Sequence, residues 1–143
     1  AGGGKAEQIF LRGFDIDHGT DINLEVDGLP VNMVSHAHGQ GYADLHFLIP
    51  ELIQYVDFDK GPYFADKGDF ATAGYVDFQT RNSLQRDFFK TEVGQFGVVR
   101  TVAGLNVVPK ASENTGYLAS EFFRSDGFFE SPQDFRRFNL TGK

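Results

Sequence analysis

The sequence predicts a β-rich chain in two parts: a first domain of short strands and short helices, in the α+β class, and a second stretch of longer strands. Three observations predict it. Polar and apolar residues alternate with a period of two over several short runs, which is the signature of half-buried strands. Sixteen Phe, five Tyr and seventeen Gly occur with no Cys, a composition that suits pleated surfaces joined by tight turns. After Asn82 the texture changes and the strand-like runs lengthen, which places a boundary between residues 1–82 and 83–143.

Residues 1–7 read as a lead-in, 9–11 as a short strand ending at Arg12-Gly13, and 15–21 as a polar turn. Next, Ile22, Leu24 and Val26 point one way while Asn23, Glu25 and Asp27 point the other, until Asp27-Gly28-Leu29-Pro30 turns the chain. Residues 35–42 carry two Gly and several polar side chains without periodicity, so they form a loop. Asp44 is placed to cap a helix over residues 45–49, because its carboxylate can accept first-turn N–H groups. Pro50 then opens a second short turn. Val56 and Phe58 alternate with Tyr55, Asp57 and Asp59 up to Lys60-Gly61-Pro62, and Val76, Phe78 and Thr80 alternate with Tyr75, Asp77 and Gln79.

Beyond the boundary, residues 90–108 form one long strand or a strand pair, with Val93, Val99, Ala103, Leu105 and Val107 on one parity and Glu92, Arg100 and Asn106 on the other. Residues 109–114 are a turn. Residues 116–124 are extended but poorly sorted, since Glu121 and Phe123 share one face and Phe122 and Arg124 the other. After a loop over 125–133, Phe138 and Leu140 oppose Arg137, Asn139 and Thr141.

Composition excludes several functions. A net charge of −7 with scattered Lys and Arg argues against a nucleic-acid surface, which needs clustered cations. No run approaches the roughly 18 to 20 apolar residues of a transmembrane helix, although a transmembrane strand needs only about 9 to 11 with one apolar face. Without Cys there is no disulfide or thiolate chemistry. Ala1-Gly2-Gly3-Gly4-Lys5 has neither the apolar nor the cationic region of a signal peptide.

Four signposts stand in order between residues 11 and 80: Leu11-Arg12-Gly13-Phe14, Val26-Asp27-Gly28-Leu29-Pro30-Val31, Lys60-Gly61-Pro62, and Ala73-Gly74-Tyr75-Val76-Asp77-Phe78-Gln79-Thr80. In this order and spacing they resemble the plug domain of TonB-dependent outer-membrane receptors. Residues 126–139, Asp126-Gly127-Phe128-Phe129 through Arg136-Arg137-Phe138-Asn139, resemble an early segment of the receptor's barrel. The resemblance implies an α+β plug, a small mixed sheet with short helices, over residues 1–82, followed by antiparallel strands of an incomplete transmembrane β-barrel over 83–143. A plugged transporter has about 22 strands, and at about 10 residues each the wall takes on the order of 220 residues, so the chain is expected to be a partial receptor lacking its leader and the start of its plug. Ala73 stands where the family commonly has Gly, and residues 64–70 are more charged than the family's segment.

The implied function is gated uptake of a scarce nutrient, such as an iron chelate, cobalamin, another metal complex or a saccharide, without bond cleavage and without a cofactor. The implied partners are the TonB complex of the inner membrane, a small-molecule ligand and outer-membrane lipid, and the implied location is the outer membrane. The ligand-facing residues are expected to be His36, His38, Gln40 and Tyr42 of the longest polar, Gly-rich loop, joined by Tyr63. His36, His38 and His46 resemble a metal constellation that Asp44 or Glu51 would have to complete, but flanking glycines favour a loop without a metal. Ser35-His36 and Asp15-Ile16-Asp17-His18 offer catalytic residue types, yet no nucleophile-elbow pattern accompanies them, so no catalytic residue is expected. The alternative is a self-contained soluble β-sandwich or small barrel that binds a ligand, with His36 and His38 as a metal site.

Overall fold

A computed structural model describes residues 9–16, 21–35, 42–108 and 114–143. The described residues fall into two compact units that meet in sequence at Thr80 and Arg81. The first holds strands β1 (Ile9–Leu11), β2 (Phe14–Ile16), β3 (Ile22–Val26), β4 (Leu29–Pro30), β5 (Ile53–Lys60) and β6 (Gly74–Thr80). The second holds β7 (Phe88–Val93), β8 (Val99–Asn106), β9 (Tyr117–Ser125) and β10 (Phe135–Gly142).

The first unit is built on a mixed sheet in the order β4-β3-β6-β5, in which β3 runs parallel to β6 and β5 antiparallel to it. Alternation in these strands sorts the side chains as their sequences require. One face carries Ile22, Leu24, Val26, Val76 and Phe78, and the other carries Asn23, Glu25, Tyr75, Asp77, Asp57 and Asp59. Ile22, Leu24 and Ala73 are buried, with Ile9, Leu11, Val31, Ala43, Leu45 and Val76 packed around them. Each fully buried aliphatic side chain contributes roughly 1.5–3 kcal/mol.

The four signposts are where this sheet is joined. Asp27 and Gly28, both at positive φ (52° and 75°), make the two-residue turn from β3 to β4 that matches the right-handed twist of its strands. The Asp27 carboxylate then reaches the end of β6, accepting from the Thr80 N–H at 2.8 Å and the Thr80 hydroxyl at 2.6 Å. At the other end of β6, Gly74 passes so close to the Asp59 carbonyl of β5 that any Cβ would strike it, and the Gly61 N–H donates to the Ala73 carbonyl at 2.7 Å. The Leu11 side chain lies against the same Gly74, and Arg12 beside Gly61. Since Ala73 itself is buried and its N–H donates to the Asp21 carbonyl at 2.7 Å, the family's Gly is not needed there.

β4 is too short to cover β3, and Asn32 completes the edge. Its Oδ1 accepts from the Leu24 N–H at 2.7 Å while its Nδ2 donates to the Ile22 carbonyl at 2.9 Å.

The helix expected over residues 45–49 does not form. Asp44 accepts the His46 N–H at 2.7 Å, as a capping residue would, but the chain makes a single turn, closed by Leu48 N–H to Leu45 carbonyl at 2.9 Å. Pro50 follows within two residues, and its ring cannot continue a helix interior. Helical structure among the described residues is confined to the 3-10 turns Pro50–Leu52 and Ala65–Lys67.

The second unit is a four-stranded antiparallel meander, β10-β9-β8-β7. Residues 90–108 are thus a strand pair, broken at residues 94–98 by a turn in which Gly94 N–H donates to Val98 carbonyl at 2.9 Å. Register resolves the poorly sorted run: Glu121 and Phe123 lie on the face of Arg100 and Arg137, and Phe122 and Arg124 on the face of Phe138 and Leu140. The two faces have opposite character. Phe89, Val93, Leu105, Leu118, Phe122, Phe138 and Leu140 share one face and are all exposed, from 42% at Phe122 to 78% at Val93. On the opposite face Glu121 is fully buried, with one oxygen accepting from Arg100 Nε at 2.6 Å and the other from Arg137 Nε at 3.2 Å and Asn139 Nδ2 at 2.8 Å. Glu92 adds a contact to Arg100 Nη1 at 2.8 Å.

Removing one partner from such a cluster strands the others. Glu121→Ala is expected to lower stability by about 3 kcal/mol, because two guanidiniums lose their buried counter-charge. Denaturant unfolding followed by circular dichroism checks it, and Glu121→Gln, which keeps an acceptor, should lose less.

Candidate binding groove

The β3–β4 turn and the segment after it shape a groove of about 430 Å³. Val26, Leu29, Val31, Met33 and Phe47 give it an apolar wall, and Tyr42 and Asp44 supply polar groups. A mostly apolar hollow of this size with a few convergent polar atoms is the usual form of a small-molecule site. Leu29, Met33 and Phe47 are exposed, so a ligand entering the groove would cover apolar surface that now faces water.

A pair of backbone hydrogen bonds forms the neck of the polar loop. Met33 and Tyr42 exchange them, at 2.8 Å from Met33 N–H and 3.1 Å from Tyr42 N–H. This holds the Tyr42 ring in the groove wall, where its hydroxyl donates to Asp44 Oδ2 at 3.2 Å. The other Asp44 oxygen lies 2.9 Å from His46 Nδ1 and accepts the His46 N–H. Partial burial pushes the Asp44 carboxyl up, but the bonds and charge of His46 and the Tyr42 hydroxyl outweigh it and hold the group below the usual carboxylate range.

Of the expected ligand-facing residues, Tyr42 lines the groove, while His36, His38 and Gln40 lie outside the described residues. Tyr63 is exposed, its ring against Gly61, and is not part of the groove wall. Sequence reading passed over Met33, Leu29 and Phe47. The available signal was apolar residues flanking a polar loop, which alternation alone does not distinguish from ordinary core.

The opposite, polar face of the sheet has its own lid. Lys67 pairs with Glu25 at 3.3 Å and sits 4.4 Å from the centre of the Tyr75 ring, with Phe64 edge-on to that ring at 5.3 Å. Partial burial pulls the Lys67 ammonium down, but Glu25, Asp77 and Asp66 raise it further. The Tyr75 phenol is pushed up by burial and by Asp57, to which its hydroxyl donates at 3.1 Å. Asp57 and Asp59 thus belong to the polar face of β5, as their spacing predicts, and no group able to hold a metal ion occurs among the described residues.

Because the folded Asp44 carboxyl titrates below its ordinary value of 3.8, its stabilising bonds are present above that pH and are lost as pH falls through the lowered value. The His46 backbone amide resonance should therefore titrate with a midpoint below 3.8, and Asp44→Asn should abolish that titration.

Two comparisons bear on identity. No curated protein matches the chain. A family model described as the TonB-dependent receptor plug domain matches residues 1–75. Those residues contain the Asp-Gly turn, the groove and three of the four signposts in full, with the start of the fourth. With more than half of the chain matched, and with the signposts meeting around one mixed sheet, the chain belongs to the TonB-dependent receptor plug family.

Proposed function

We propose that this chain serves ligand-gated uptake across the bacterial outer membrane, driven by the TonB complex of the inner membrane. Residues 1–82 act as the plug and residues 83–143 as the opening strands of the surrounding wall. Plug domains belong to outer-membrane transport receptors, which bind and pass their ligands and are not enzymes. The observation that carries the reading beyond the family match is the polarity of the second sheet. Its exposed face carries most of its large apolar side chains and its other face holds a buried cluster of charges, the arrangement of a barrel wall between lipid and a polar lumen. No described helix is long and apolar enough to cross a membrane, but strands of eight and nine residues approach the length at which tilted strands do.

In this reading the groove and the loop pinched off by Met33 and Tyr42 face the ligand. His36, His38, Gln40 and Tyr42 supply polar contacts, and the apolar wall takes the ligand's carbon skeleton. Tyr63 belongs to this surface only if the ligand extends beyond the groove. An iron chelate, cobalamin, another metal complex or a saccharide are all compatible with an apolar hollow edged by phenol and carboxylate groups.

Two measurements test the proposal. Phe122→Arg or Leu140→Arg should cost insertion into lipid vesicles about 2–4 kcal/mol, while Thr141→Arg on the other face should cost much less; equal effects on both faces would refute the wall assignment. For the site, His36→Ala with His38→Ala should weaken calorimetrically measured binding of whichever candidate nutrient binds the wild type by about tenfold, the equivalent of 1.4 kcal/mol. Unchanged affinity would remove the loop from the site.

A further inference from the structure

The exposed face of the second sheet carries large apolar side chains with Thr91, Thr101 and Ser120 among them, and its charge is confined to one end. There Arg124 of β9 stands directly opposite Arg136 of β10, on the same face as Phe122, Phe138 and Leu140. Like charges opposite one another on neighbouring strands repel, so the pair requires anionic company. Asp126 supplies it to Arg124 alone, accepting from Nη2 at 3.0 Å. Asp134 lies beyond hydrogen-bonding distance of both, at 3.9 Å from Arg124 and 4.0 Å from Arg136. The Arg136 side chain is 64% exposed, and its guanidinium donates no hydrogen bond to a described residue.

A planar fork of five N–H donors, none of them given to a described residue, at the end of a largely apolar face matches one chemistry in particular, the phosphate layer that borders a hydrocarbon core. Exposed rings mark the same level. Phe128 and Phe129 lie 4.3 Å apart in the loop after β9, and the Phe96 carbonyl of the turn before β8 accepts the Asp126 N–H at 2.8 Å, which ties the two loops together. Aromatic side chains gather at this depth in transmembrane barrels. We infer that Arg136, with Arg124 beside it, binds the phosphate of an anionic lipid headgroup and so fixes this end of the β9–β10 hairpin at the membrane interface. The inference rests on the reading of residues 83–143 as membrane-facing strands.

The test is flotation of the full chain with vesicles of phosphatidylcholine, alone or mixed with phosphatidylglycerol. The wild type should bind both and favour the anionic vesicles by about fivefold, the gain that one basic residue supplies near a charged bilayer. Arg136→Gln, alone or with Arg124→Gln, should lose that preference and keep the binding to phosphatidylcholine, while Arg136→Lys should restore part of it. A preference unchanged in the double variant overturns the inference, and so does one abolished by inorganic phosphate at constant ionic strength, which would assign the site to a free anion. Cross-linking that traps a second copy over Arg136 regardless of lipid overturns it as well. Binding of the wild type to neither vesicle would instead remove the membrane-strand reading itself, whereas equal binding to both removes only the headgroup site.

Discussion

A single carboxylate holds the ends of the first sheet in register. Asp27 sits in the turn that ends β3 and accepts both the N–H and the hydroxyl of Thr80 at the end of β6, so two parallel strands separated by 47 residues finish at one point. Parallel pairs need long crossovers, and their closure is entropically costly. The joint works only because everything between respects it: Gly74 admits the Asp59 carbonyl, Gly61 bonds to Ala73, and Asn32 takes over the edge that β4 leaves uncovered. The signposts that identify the family are therefore contacts of one sheet, separated only by chain length.

The groove follows from that joint. With β3 and β4 anchored by Asp27, the chain leaves the sheet through Val31 and Met33 and returns through Tyr42, and the Met33–Tyr42 bond pair closes the neck. Asp44 then serves the Tyr42 hydroxyl and the turn at His46 at once.

In the second unit the electrostatic cost is concentrated at one residue. Glu121 is buried where a carboxylate is expensive unless paired, and two arginines and an asparagine from the two neighbouring strands meet it. That cluster sits on one face, and large exposed apolar side chains occupy the other. Net charge and mean hydropathy conceal this arrangement because they average across both faces.

Alternation, turn chemistry and spacing were enough to determine most of the strands, the Asp-Gly turn and the polar face bearing Asp57 and Asp59, because each depends on residues close in sequence, and the order of the four signposts carried the resemblance to the family. The expected helix at residues 45–49 failed on a local ground, since Pro50 arrives before a second helical turn can form. Tertiary structure alone decided that Thr80 serves Asp27, that Glu121 belongs with Arg100 and Arg137, and that Met33, Leu29 and Phe47 share a groove with Tyr42. Those are contacts between strands, where a shift of one residue in register turns every side chain to the opposite face, and only the assembled sheet selects among the registers that the sequence permits.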